Sequence, residues 1–227
     1  MDKTIESKLV AAALQLAAQG QWQDANLASI AKAADLPLSA LFGKYRSKSN
    51  VLDLVEADLN EKVLTDVGEL DDTTSTRDRL FDLFMTRFEV MNDNRDAFLN
   101  LYTCKSSQTN QGFSAFSKSK DSIRFLAECA GIDTSGLKGK AKAITLTYIY
   151  QHVLTTWAKD DSEDLAATMK VLDTQLSKAE NWAIEIRNFN LESIFKKKTG
   201  QTEPETEPET EPEPESEFGN GASQAPE

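Results

Sequence analysis

Cysteine and histidine are nearly missing from this chain, which has two cysteines and one histidine in 227 residues. Metal sites and Cys–His nucleophile pairs need several such groups at defined spacings. Cys104 and Cys129 lack CxxC spacing, and His152 stands alone, so neither chemistry is supported. The two thiols lie in apolar helical contexts and read as free, near-core groups of a reducing compartment. Glycine-rich phosphate loops are absent too. The paired carboxylates Asp71–Asp72 and Asp160–Asp161 fall in polar connectors and read as caps and solvated turns. No run of about 18 or more apolar residues occurs, and the first residues lack the basic-then-apolar plan of a secretory signal. The expectation is a cytoplasmic protein that is not an enzyme and carries no cofactor or metal.

Glycine and proline are sparse before residue 200, and apolar residues recur at helical rather than alternating spacing. Residues 5–19 and 51–64 read as helices. The run 73–76, Thr-Thr-Ser-Thr, offers a cap for a helix over 77–91, where Leu80, Phe81, Phe84, Met85 and Phe88 form an apolar stripe. A short helix over 94–102 and a polar loop over 106–112 follow. A helix over 113–130 carries Phe116, Ile123, Leu126 and Ala127 and stops at Gly131. After a loop over 133–139, helices are expected over 140–157 and, capped by Ser162, over 163–186. Fold class is therefore all-α.

Residues 202–227 are a TEPE repeat followed by small residues, too polar to bury a core and expected to be disordered. Nine Glu and no Lys or Arg in that segment account for −9 of the net charge of −12 and leave −3 for residues 1–201. The acidity is a tail property. A solubilising tail is the plain reading; one that competes with a polyanionic partner for the chain's basic residues is the sharper one.

The most informative stretch is 27–52. Leu27, Ile30, Ala31 and Ala34 make one face of a two-turn helix. Asp35-Leu36-Pro37 then breaks it, since Asp tolerates a left-handed backbone and Pro suits a helix start. Leu38, Leu41, Phe42 and Tyr45 resume helical spacing, and Arg46 and Lys48 follow. Two helices meeting at such a turn form a helix-turn-helix, in which the second can enter a DNA major groove while its basic end touches phosphate.

At residues 5–56, through Phe42-Gly43-Lys44-Tyr45-Arg46-Ser47-Lys48 and Val51-Leu52, the chain resembles the TetR family of transcriptional regulators. The resemblance implies a three-helix DNA-binding head over residues 1–50, a helical ligand-binding and dimerisation body over 51–198, and a tail over 199–227. It implies a homodimer paired through the helices over 140–157 and 163–186, a palindromic operator, and a hydrophobic or lipid-like effector that changes the separation of the heads; repression is the family's habit. DNA contacts are expected from Ser39, Phe42, Gly43, Lys44, Tyr45, Arg46 and Lys48. Departures from the pattern thin the base readout: Leu38, Ala40 and Gly43 carry no hydrogen-bonding side chain, and Phe42 lacks a phenolic hydroxyl. Residues 1–60 hold six Lys or Arg against seven Asp or Glu, so the head has no overall basic excess.

Candidate pocket residues in the body are Phe81, Phe84, Met85, Phe88, Phe98, Tyr102, Phe113, Phe116, Ile123, Tyr148, His152 and Trp157, most of which also suit an ordinary core. So little charge there favours an apolar effector. A second resemblance competes. Residues 77–89, Ala130-Gly131-Ile132 and residues 157–162 are similar to bacterial relatives of the mitochondrial ubiquinone-biosynthesis lipid-binding protein, which has a TetR-like fold but presents lipid instead of reading DNA. On that reading Trp182, Ile186, Phe189 and Phe195, beside Lys196–Lys198, would touch a membrane surface. A final helix docked on its own body is the plainer alternative.

Overall fold

The computed structural model describes residues 3–71, 73–102 and 111–198, with side chains described over 4–71, 73–102 and 119–185. Expectations for Cys104, the loop over 106–110, the side chains of Phe113, Phe116, Ile186, Phe189 and Phe195, and the tail over 199–227 lie outside these residues, while residues 111–112, expected in that loop, already belong to a helix. The described chain is helical throughout: α1 (Lys3–Ala18), α2 (Leu27–Ala33), a 3₁₀ turn (Leu38–Leu41), α3 (Lys48–Val67), α4 (Thr76–Asn92), α5 (Arg95–Tyr102), α6 (Gln111–Cys129), α7 (Gly136–Trp157) and α8 (Ala166–Lys198).

One compact unit extends to Ile184, and residues 185–198 supply the remaining turns of α8. Within the first unit α1 packs on α3, α5 and α2, while α3 also packs on α4 and α6. Head and body regions therefore share one core. On α1, Leu9, Val10, Ala13, Leu16 and Ala17 are buried at helical spacing, and on α4 the same holds for Leu80, Leu83, Phe84, Phe88 and Met91. Removing this much apolar surface from water is the main force holding the helices together.

Local signals set the helix ends. Asp35 takes the left-handed conformation anticipated for it, at φ 52°. The amide of Asp35 donates to the Lys32 carbonyl at 3.2 Å and that of Leu36 to the Ala31 carbonyl at 2.9 Å, which satisfies the last carbonyls of α2. Asn26 and Ser29 form a reciprocal capping box at the other end, both bonds 2.9 Å. Ser75 caps α4 by accepting the Asp78 amide at 3.1 Å. Helix α7 begins at Gly136, inside the expected loop, with Ser135 at the N-cap position.

Candidate functional site

The helix-turn-helix departs from expectation at its second element. Residues 38–45 do not form an α-helix. Leu38–Leu41 make a single 3₁₀ turn, after which Gly43 at φ 82° reverses the chain. A non-glycine residue there would be strained. The Tyr45 amide donates to the Leu41 carbonyl at 3.0 Å to close the reversal, and Asn50 Oδ1 then accepts the amides of Arg46 at 3.0 Å and Ser47 at 3.2 Å to start α3. A four-residue 3₁₀ turn rises about 8 Å, roughly two base-pair steps.

Of the seven expected DNA contacts, five lie on the surface: Ser39, Phe42, Gly43, Lys44 and Arg46. Phe42 is 90% exposed and Leu38 55%. The other two are engaged within the fold. Tyr45 is buried beside Leu41, and its hydroxyl points to Glu6 Oε1 at 3.5 Å. Burial, then the Glu6 carboxylate, raises its pKa. Lys48 Nζ donates to the carbonyls of Trp22 at 2.8 Å and Gln23 at 2.9 Å and lies 5.2 Å from the Trp22 ring centroid. That ammonium ties the chain after α1 to the start of α3 within the protomer.

In the body, the candidate pocket residues separate into two groups. Phe84, Met85, Phe88, Phe98, Ile123 and Trp157 are buried, and Phe81 and Tyr102 partly so. Tyr150, unanticipated, organises them: its ring stacks on Phe88 at 5.0 Å between centroids and meets Phe84 edge-on at 5.5 Å. Tyr148 and His152, by contrast, are exposed. They fall on the opposite side of α7 from Tyr150 and Val153, so they do not line the same interior. With Leu137, 87% exposed, and Ile144, 59%, Tyr148, 73%, makes an outward apolar stripe along α7.

The expectation of an interior poor in charge is also corrected. Arg87 is fully buried. Its Nη2 donates to Glu56 Oε2 at 2.6 Å, its Nη1 to Asn60 Oδ1 at 2.7 Å and its Nε to the Tyr150 hydroxyl at 3.0 Å. Ser122 Oγ donates to Glu56 Oε2 at 2.6 Å, and the Tyr102 hydroxyl donates to Glu56 Oε1. Five helices, α3 to α7, thus meet at one neutralised ion pair. The Tyr150 and Glu56 groups facing the guanidinium hold Arg87 in its charged form against the cost of burial, and burial pushes both Tyr102 and Tyr150 upward. A sequence signal existed: Arg87 occupies the Leu80, Phe84, Met91 face of α4, and Glu56 the Leu52, Leu59, Val63 face of α3.

Among the described residues no helix is long and apolar enough to cross a membrane, and no group of three or more His, Cys, Asp or Glu could hold a metal ion.

No family model matches the sequence, and no curated protein does. Solved structures do match. A TetR transcriptional regulator from Nitrosomonas europaea superposes with TM-score 0.57 at 20% identity, covering 77% of this chain and 97% of that one. A TetR transcriptional regulator from a Rhodococcus species superposes with TM-score 0.53 at 14% identity, covering 77% and 96%. Together with the all-helical order, in which α2 and a 3₁₀ turn lie between α1 and α3, these likenesses show that the chain has the fold of TetR-type transcriptional regulators.

Proposed function

We propose that the chain is a cytoplasmic, dimeric TetR-type regulator that binds DNA through two copies of the Leu38–Arg46 tip and responds to a hydrophobic effector in the body. The exposed polar set at that tip, Ser39, Lys44 and Arg46, carries the reading. In a helix-turn-helix this position faces the duplex, and the three side chains are exposed among the described residues. The outward stripe of α7 supports pairing of two protomers, which would supply two tips for a near-palindromic site. Effector binding among the aromatic side chains of the body would alter the separation of the tips. A saturating effector that leaves operator affinity unchanged refutes that step.

Selection of genomic fragments by the purified protein, followed by salt titration, tests the whole. Four basic side chains per dimer give log K against log salt a slope of about −3.6, and Lys44→Ala should flatten it by about 2. If no fragment is enriched, the regulator reading fails.

A second reading, a lipid-binding accessory protein of quinone biosynthesis that has lost DNA binding, is favoured by the one-turn recognition element and by the engagement of Lys48 and Tyr45 within the fold. It predicts lipid co-purifying with the protein, and anionic-liposome binding that falls when residues 182–198 are deleted. Binding that survives the deletion counts against it.

A further inference from the structure

The tip contains an excess of outward apolar surface that phosphate binding does not use. Within the turn Leu41 is directed inward, while Ser39 and Phe42, the extended residue that ends the turn, are both exposed. Leu38 adds a second exposed apolar side chain on the same turn. Side chains that can hydrogen-bond to a base edge are correspondingly few. Within the turn itself only Ser39 carries a donor or acceptor, and a serine hydroxyl pairs with any base. Tyr45 and Lys48 point into the fold, and Lys44 and Arg46 follow the Gly43 reversal, at the flank of the tip. Among the groups a duplex displays in its major groove, one is apolar and sequence-specific: the C5-methyl of thymine.

We propose that Leu38 and Phe42 read thymine methyl groups, so that the operator is specified by apolar contact at one or two T·A steps per half-site and not by hydrogen bonds to guanine or adenine. The inference rests on the regulator reading and names the chemistry by which that same site discriminates. Its reach follows from the size of the element: a turn about 8 Å long covers about two base-pair steps. Lys44 and Arg46 supply the sequence-independent attraction that brings the tip to the groove.

The test perturbs the DNA first, which leaves the protein's folding untouched. Full-length protein is titrated, at one salt concentration, against a selected fragment in which thymines are replaced singly by uracil; the pairing edge is retained and the methyl alone is lost. Each methyl in contact should cost about fourfold in affinity, the equivalent of one buried CH₂. Other thymines should be neutral. Phe42→Ala and Leu38→Ala, both at exposed positions, should each abolish the uracil effect at one position while leaving the salt slope unchanged. Substituting 7-deazaguanine, which removes a guanine acceptor, should have no effect. Uracil substitution that is neutral everywhere, uracil discrimination that persists in both variants, or a loss confined to 7-deazaguanine each overturns the inference and leaves the regulator reading standing. If no fragment is selected at all, both fall.

Discussion

Removal of Arg87 alone should unfold much of what removal of Arg87 and Glu56 together leaves intact. The guanidinium is completely buried and the Glu56 side chain is 9% exposed, 2.6 Å away. Taking away one partner of such a pair leaves the other charge in the interior, at a cost of about 3–5 kcal/mol, whereas replacing both by apolar groups of similar volume is often neutral or stabilising. For a domain whose total stability is about 5–15 kcal/mol, Arg87→Met therefore consumes a large part of the margin. With a urea m-value of about 2 kcal/mol/M, the midpoint should fall by about 2 M. Glu56→Leu/Arg87→Met should recover most of that loss. Glu56→Gln should fall between, since its amide oxygen still accepts from Tyr102 or Ser122 while the charge is gone. Urea unfolding followed by circular dichroism, at one protomer concentration so that association does not shift the midpoints, measures the wild type, these three variants and the single Glu56→Leu that closes the cycle. If Arg87→Met costs less than about 1 kcal/mol, or if the double variant is destabilised by the sum of the singles, the pair is not the buried, coupled element described here.

The comparison between sequence and structure turns on the range of each interaction. Asp35 was legible because the left-handed residue and the proline two positions on act locally, and the structure places it at φ 52°. Helix spacing in α1, α4 and α7 was legible for the same reason. Lys48 was not: the carbonyls that take its ammonium lie 25 and 26 residues earlier, at Gln23 and Trp22, and no periodicity reports such a contact. The failure of residues 38–45 to continue as a helix has a local cause that the apolar spacing concealed, since Gly43 supplies a positive φ in the middle of the expected helix. The Arg87 cluster was half legible. Charged residues on otherwise apolar faces of α3 and α4 mark buried charge, but their pairing, and the arrival of Ser122 and Tyr150, depends on how five helices pack. His152 and Tyr148 look like interior residues in the sequence because aromatic residues on an apolar helix resemble core; the direction of each face emerges only when Tyr150 and Val153 take the inside.

Lys48→Met keeps the aliphatic stem over Trp22 and removes two charge-assisted hydrogen bonds, so it should lower stability by about 1–2 kcal/mol and leave the salt slope of DNA binding unchanged; a flattening equal to that of Lys44→Ala would return Lys48 to the phosphate. Asp160 is held down to about 2, against desolvation that would raise it, by hydrogen bonds from Ser162 and Thr168. Its contribution is present above the ordinary carboxylate pKa near 4 and lost as pH falls through about 2, at most about 2 kcal/mol. Asp160→Asn should remove that part of the acid sensitivity, and urea midpoints at pH 6 and 2.5 that fall equally in both proteins would refute it. On α7, Tyr148 at 73% exposure contributes little to the protomer's core, so Tyr148→Glu should leave the helical signal intact. In a two-fold pair every such substitution acts twice, and burying even one unpaired carboxylate costs several kcal/mol. About 4 kcal/mol corresponds to a thousandfold weaker dimer, which sedimentation velocity at micromolar concentration reads as a monomer. On the proposed regulator reading two tips engage one operator together, so the monomer should also lose the selected fragment while retaining weak, sequence-independent binding. A Tyr148→Glu protein that remains dimeric would show that the α7 stripe is not where the protomers meet.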